Sequence, residues 1–227
     1  MGTNKLQRFK EITAYENVLE HTDFQDGKSS KPKGGWHKAI FGNEKSIVLE
    51  LACGKGTYTL ELARRSPNVN VIGIDIKGGR IWKGATQALE EGLENVRFLR
   101  IYIDHLYEYF APKEVDDIWI TFPDPYPRAG NRDKRLVAPK FLSIYQQVVT
   151  SNAHIRLKTD SNELFSYTKR ILSETDCKVT DIVESVYDER PDDELLSIKT
   201  DFEEKHLKKG KEISFISFCL PEKPIKG

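Results

Sequence analysis

The chain has 227 residues, of which 38% are apolar and 10% aromatic. That is enough for one domain with embellishments and a core of its own, and the lack of any long apolar run excludes a transmembrane helix. Three scattered cysteines, Cys53, Cys177 and Cys219, argue against a disulfide scaffold or a structural zinc site, and a net charge of zero reads at first as excluding a polyanionic partner.

The polar segment Met1–Lys10 lacks the apolar stretch of a secretory signal, so a cytoplasmic protein is expected. Apolar positions at Phe9, Ile12, Val18 and Leu19 predict a helix over Leu6–Glu20. Gln25–Gly35, rich in Gly, Ser, Pro and Lys, reads as flexible. Residues 1–40 are therefore expected to form a partly flexible extension, and 41–227 a single domain. Predicted strands follow at Ile47–Leu51, Val69–Asp75, Val96–Ile101, Asp117–Phe122 and Ala153–Lys158. Predicted helices follow at Thr57–Arg65, Gly79–Glu91, His105–Phe110, Lys140–Val149 and Glu163–Ser173. Near-continuous apolar strands alternating with helices imply a doubly wound, mostly parallel α/β sheet. Beyond Ser173 the pattern changes to two strands, Lys178–Tyr187 and Ile213–Leu220, expected to pair antiparallel, with a short helix near Thr200–Lys209.

The zero charge is a cancellation. Arg128–Lys140 holds five basic residues and one acidic, whereas Asp181–Glu204 holds ten acidic and two basic. Charge runs are ordinarily solvated faces, but binding faces are local, so the net value does not exclude a nucleic acid.

The first predicted strand runs into Glu50-Leu51-Ala52-Cys53-Gly54-Lys55-Gly56, and the second ends at Asp75. Glycines at such a turn let a ligand approach the backbone, and an acid at the next strand end suits ribose hydroxyls. A dinucleotide site would want a third glycine where Thr59 stands, and Glu50 would repel a pyrophosphate. S-adenosylmethionine has a ribose, a sulfonium and an ammonium but no phosphate, and suits Glu50 with Asp75 better than a dinucleotide does. An ordinary tight strand–helix turn is the alternative.

The fourth strand leads into Pro123-Asp124-Pro125-Tyr126-Pro127-Arg128. Three prolines stiffen this loop at the carboxyl end of a strand, where open α/β sheets bind ligands. A carboxylate, an aromatic ring and an arginine held there suit a nucleobase and a phosphate. A rigid surface turn is the alternative. Lys158-Thr159-Asp160-Ser161 lies at another strand end, where Asp160 either faces the same ligand or, with Ser161, caps the next helix.

Together these motifs resemble the bacterial tRNA (guanine-N(7)-)-methyltransferases of the Rossmann class. The resemblance runs from Ile47 to Leu220. It is carried by E-x-x-C-G-K-G at Glu50–Gly56, G-I-D at Gly73–Asp75, E-G-L-E-N-V-R at Glu91–Arg97 and F-P-D-P-Y-P at Phe122–Pro127. It continues through K-R-L-V-A-P-K-F-L at Lys134–Leu142, K-T-D at Lys158–Asp160 and T-D-F-E at Thr200–Glu203. It implies methyl transfer from S-adenosylmethionine to N(7) of a guanine in the tRNA variable loop, conventional position 46, with no metal. It places S-adenosylmethionine at Glu50, Gly54, Gly56, Asp75, Tyr102, Ile103 and Asp124, with Asp124 catalytic. The tRNA is expected at Arg128, Asp160, Thr200, Asp201, Phe202 and Glu203. The implied partner is tRNA, with neither a membrane nor an obligate protein, for a monomer or homodimer. The chain departs from the family pattern at Ala52, where a glycine is usual, and at Tyr126, where tryptophan is usual. At Tyr102 an acidic or amide residue is usual, which leaves Asp104 or the Ile103 backbone to meet adenine. The basic cluster is also thinner, with Ala129, Gly130 and Asn131.

Guanine N(7) has a lone pair and no proton, so the displacement needs no general base, and positioning supplies the acceleration. None of His21, His37, His105, His154 and His206 is therefore expected in catalysis. Two alternatives stand beside this reading: an S-adenosylmethionine enzyme for small molecules or proteins, since Asp124-Pro125-Tyr126-Pro127 resembles the loop of amino-group methyltransferases, and an inactive RNA-binding relative.

Overall fold

A computed structural model of the chain describes residues 5–24 and 31–226. It divides into two compact units, with the boundary at Ala111/Pro112.

The first unit contains α1 (Lys5–Ile12), β1 (Val18–Glu20), β2 (Ser46–Leu51), α2 (Thr57–Arg65), β3 (Val69–Ile74), α3 (Gly78–Glu90), β4 (Val96–Arg100) and α4 (Leu106–Tyr109). Its strands lie in the order β1-β4-β3-β2, all parallel. The register places Glu50 opposite Gly73, and Gly73 opposite Phe98. β2, β3 and β4 are buried along nearly their whole length, which is why they read as apolar runs.

The helix expected over Leu6–Glu20 stops at Ile12. Asn17 then donates its side-chain amide to the Ala85 carbonyl at 2.9 Å, and its carbonyl accepts from Phe98 N–H at 2.8 Å. That clamp sets Val18–Glu20 beside β4 as an extra parallel strand. The described parts of the N-terminal segment are packed rather than loose. Trp36 is fully buried, stacks on Phe110 at 5.0 Å and donates Nε1–H to the Tyr109 carbonyl. It opens a π-helical turn, Trp36–Phe41. Of the segment expected to be flexible, residues 25–30 lie outside the described residues.

The second unit contains β5 (Val115–Thr121), α5 (Pro139–Gln146), β6 (Val149–Thr159), α6 (Asn162–Glu174), β7 (Lys178–Val183), α7 (Val186–Glu189), α8 (Asp201–Leu207) and β8 (Ser214–Cys219). Its strand order is β5-β6-β8-β7. β5 and β6 are parallel, and β8 is antiparallel to both β6 and β7. The mostly parallel α/β fold with antiparallel C-terminal strands is thus as the sequence predicts. The strand expected over Lys178–Tyr187 ends at Val183, because Glu189 turns back and accepts from the backbone N–H groups of Glu184 and Ser185, opening α7.

Candidate functional site

In the first unit, the Gly-rich turn joins β2 to α2. Ala52, Gly54 and Gly56 all have positive φ, at 57°, 58° and 72°. Glycine takes this conformation freely, but alanine loses about 1–2 kcal/mol in it. A side chain at Gly54 would meet nothing nearer than the Ala52 carbonyl at 4.0 Å, so the turn is open at that point. Gly56 is different: a Cβ there would lie 2.7 Å from the Phe98 ring and 3.3 Å from Gly84 Cα. A Cβ on Gly84 in α3 would lie 2.6 Å from the Lys55 carbonyl. The turn and α3 therefore touch backbone to backbone, and two glycines make that contact possible.

The two carboxylates of this region are held by neutral donors. The Thr59 hydroxyl donates to buried Glu50, which also lies beside Gly73 in the register. Asp75 accepts from Gly54 N–H on one oxygen at 3.0 Å and from Lys77 N–H on the other at 2.8 Å. No cation among the described residues pairs with Asp75. Burial, and then the fields of Glu50 and Asp75, push the Cys53 thiol well above its usual range, so it stays protonated and inert. Two carboxylates and an open turn form a donor set for a ligand with ribose hydroxyls and positive charge, which is the chemistry of S-adenosylmethionine. Tyr102, after β4, is 60% exposed and precedes a short 3-10 turn, Ile103–His105, which places Ile103 and Asp104 at the same strand end.

In the second unit, the proline loop follows β5. Phe122 and Tyr126 adopt positive φ, at 47° and 43°, one on each side of Asp124. Such strain in non-glycine residues persists only where the surroundings fix it, and it collects at functional sites. Asp124 is exposed and has no hydrogen-bond or ionic partner among the described residues. It lines a cavity of about 690 Å³ with Phe122, Asp160, Phe202, His206 and Lys211. Phe202 is 45% exposed and packs between Phe122, at 5.5 Å, and His206, at 4.0 Å.

Asp160 accepts from His206 Nδ1 at 2.5 Å and from Lys211 Nζ at 2.7 Å, both on the same oxygen. Burial alone would raise its carboxyl, but the Lys211 and His206 hydrogen bonds outweigh that and hold it below the ordinary aspartate value. The capping reading also holds: Ser161 Oγ accepts from Leu164 N–H at the start of α6. His206, which sequence reasoning set aside with the other histidines, lines this cavity. Its partner Asp160 lies 46 positions away, and no spacing rule joins them.

The T-D-F-E stretch divides. Thr200 and Glu203 form a capping box at the start of α8. Glu203, expected among the substrate residues, is instead fully buried. It pairs with fully buried Lys158 of β6 at 2.6 Å and accepts from the Tyr187 hydroxyl at 2.6 Å. Lys158 also donates to the Leu196 and Ile198 carbonyls. Burial lowers the Lys158 ammonium, against the pull of Glu203. Burial and the Glu203 hydrogen bond push the Tyr187 phenol far up. This pair bolts α8 to β6, and with it the aromatic face of Phe202. Asp201 is exposed at the first position of α8.

The charge runs also resolve. Arg128, Arg132 and Lys134 are exposed after the proline loop, but Arg135 is buried and points inward. Many acids of the negative segment are engaged locally: Asp181 with Arg190, Glu184 with Lys169, Asp193 with its own turn, and Glu203 with Lys158. A second cavity of about 270 Å³, beside Trp119, Arg156 and Arg190, is lined by arginines already paired with Asp117 and Asp181. No three His, Cys, Asp or Glu side chains among the described residues converge as a metal site, and no helix among them is long and apolar enough to cross a membrane.

Residues 44–216 match the family model described as "Putative methyltransferase". A tRNA (guanine-N(7)-)-methyltransferase of Bacteroides fragilis (strain YCH46) is 43% identical over 98% of this chain and 88% of its own. One from Bacteroides thetaiotaomicron is 41% identical over 99% of this chain and 89% of its own. Among solved structures, the 16S rRNA methyltransferase KamB superposes with a TM-score of 0.60 at 15% identity, over 78% of this chain and 89% of its own, a likeness of fold.

Proposed function

The chain belongs to the tRNA (guanine-N(7)-)-methyltransferase family, and on that premise we propose that it methylates N(7) of the variable-loop guanine of tRNA, conventional position 46. S-adenosylmethionine, when bound, supplies the methyl group on a sulfonium. The N(7) lone pair would bond to that methyl carbon as sulfur leaves with the carbon–sulfur electron pair, and the positive charge would pass to the purine beside Asp124. No proton is transferred, so the step needs no general base, and the His206–Asp160 pair that lines the cavity is given no proton to move.

The residues divide the work. Asp75 offers its remaining lone pairs to ribose hydroxyls, and Gly54 leaves room above the turn. Asp124 accepts from the N–H edge of the guanine and offsets the charge that develops on its ring. Phe202 and Phe122 give the extracted base an aromatic surface, as base-flipping enzymes require. Exposed Arg128, Arg132 and Lys134 meet phosphates. This reading places the enzyme in the cytoplasm, with its tRNA substrate, and assigns no metal to the reaction.

The observation that carries the proposal is Asp124 itself: a carboxylate with no partner among the described residues, held on a rigid loop between two strained residues. The test is labelled-methyl transfer to unmodified tRNA by Asp124→Asn. Turnover is expected to fall about 100-fold, the order seen on removing one well-placed polar group, with S-adenosylmethionine affinity nearly unchanged. Wild-type turnover in this variant would remove Asp124 from the mechanism. Label appearing in protein or metabolites but not in tRNA would favour an enzyme of another substrate class.

A further inference from the structure

The proline loop has a structural difficulty. Pro123, Pro125 and Pro127 carry no backbone N–H, so the loop cannot close on itself through its own donors. Its carbonyls need partners from elsewhere, and its strained residues need something to hold them. Arg135 meets both needs. Its Nε donates to the Pro125 carbonyl at 2.8 Å and its Nη2 to the Tyr126 carbonyl at 2.9 Å. The same Nη2 donates to Glu163 Oε1 at 2.5 Å. The guanidinium lies 4.4 Å from the centroid of the Tyr167 ring, and the side chain is 1% exposed. Glu163 and Tyr167 are both on α6, the helix that begins just after Asp160.

We infer that Arg135 is a positioning residue that locks the proline loop onto α6 and so fixes Asp124 relative to Asp160. The inference rests on the proposed role of Asp124. The planar fork matters as much as the charge: one rigid group reaches two successive carbonyls and a carboxylate, a geometry that an ammonium cannot reproduce. Within the basic cluster Arg135 thus serves the loop, and the exposed Arg128, Arg132 and Lys134 are left to face solvent and RNA. Its position, 11 residues after Asp124, gave no hint of this in the sequence, where it reads as one more cation.

The test measures kcat, KM for unmodified tRNA, S-adenosylmethionine affinity and thermal midpoint for Arg135→Lys, Arg135→Ala and Glu163→Gln in the full chain. Each is made with Asp124 intact and with Asp124→Asn. Arg135→Lys is expected to lower kcat by about 30- to 100-fold, the order that follows from a misplacement of about 1 Å. KM for tRNA and cofactor affinity should change by no more than about threefold, far less than kcat, since the loop supplies only part of the tRNA contacts and the Gly-rich turn carries most of those to the cofactor. In the Asp124→Asn background the further loss should shrink below about threefold, because the group being positioned is already gone. Methylguanidinium should restore part of the Arg135→Ala rate. If the arginine variants do not fold, Glu163→Gln carries the test at the exposed end of the clamp, with a loss of about three- to tenfold and the same non-additivity. Equal losses in both backgrounds, or none while Asp124→Asn is slow, would overturn the inference and leave the proposed function standing. An Asp124→Asn enzyme as fast as wild type would overturn the reading of Asp124 and the inference with it.

Discussion

The Gly-rich turn of the first unit and the proline loop of the second face the same physical problem and resolve it differently. Each holds residues at positive φ beside a carboxylate to which a ligand contact is proposed. The turn uses glycine at two of its three such positions and is fixed by close backbone packing against α3, while neutral amides hold Asp75. The loop uses phenylalanine and tyrosine at both positions and is surrounded by charged pairs: Arg135 on its carbonyls, Lys158 with Glu203 behind α8, and His206 with Lys211 on Asp160. Steric change should therefore damage the first region, and charge or pH the second.

The largest expected effect is in the second. Glu203→Gln leaves the Lys158 ammonium buried without its counter-charge, and breaking such a pair costs about 3–5 kcal/mol. For a chain of this size that is roughly 10 °C of thermal midpoint. A midpoint within a degree or two of wild type would show that the pair is not what anchors α8.

Gly84→Ala probes the first region. In an exposed helix, alanine gains about 1 kcal/mol over glycine. Here the new methyl would sit 2.6 Å from the Lys55 carbonyl, a backbone atom that cannot swing away. A net loss of about 1–2 kcal/mol in chemical denaturation is expected, since overpacking of this kind costs about 1–3 kcal/mol. A gain would mean that the turn is looser than its geometry indicates.

Ala52→Gly should act in the opposite direction. Relief of the strained φ outweighs the extra freedom of the unfolded chain, for a net gain of roughly 0.5–1 kcal/mol. The change restores the residue usual in the family, and a loss of stability would show that the methyl packs usefully.

The smallest effect is the pH response. Asp160 is held below its ordinary value of 3.8, so the stability it contributes is present above about pH 4 and is lost as the pH falls through its folded-state value. Denaturation midpoints measured from pH 6 down to pH 3 should fall less steeply in Asp160→Asn than in wild type. Parallel curves would remove the ion cluster from the acid response.

What the sequence revealed follows the same division. The apolar runs of β2 to β6 and the glycine turn were legible because burial and positive φ leave local marks. β1 was missed because three residues beside a helical pattern carry too little signal, and it forms only through Asn17 and its contacts to Ala85 and Phe98. The charged pairs of the second unit were missed because their partners are far apart in the chain, 45 positions for Lys158 and Glu203 and 28 for Arg135 and Glu163. One signal was available: Lys158 lies inside the run Leu157–Thr159 of an interior strand, all of it buried, and a lysine there must find a carboxylate. Family resemblance marked Thr200–Glu203 as a unit, but only burial separates Glu203, which holds the fold, from Phe202, which faces the cavity.

The proposed reaction is delivery of a methyl group from this site to one guanine of tRNA. The most direct test is incubation of wild-type protein with unmodified tRNA and S-adenosylmethionine, followed by mapping of N(7)-methylguanine at single-nucleotide resolution. One modified guanine is expected, in the variable loop, and none elsewhere. Methyl groups on other atoms, at scattered guanines, or on no nucleotide at all would contradict it.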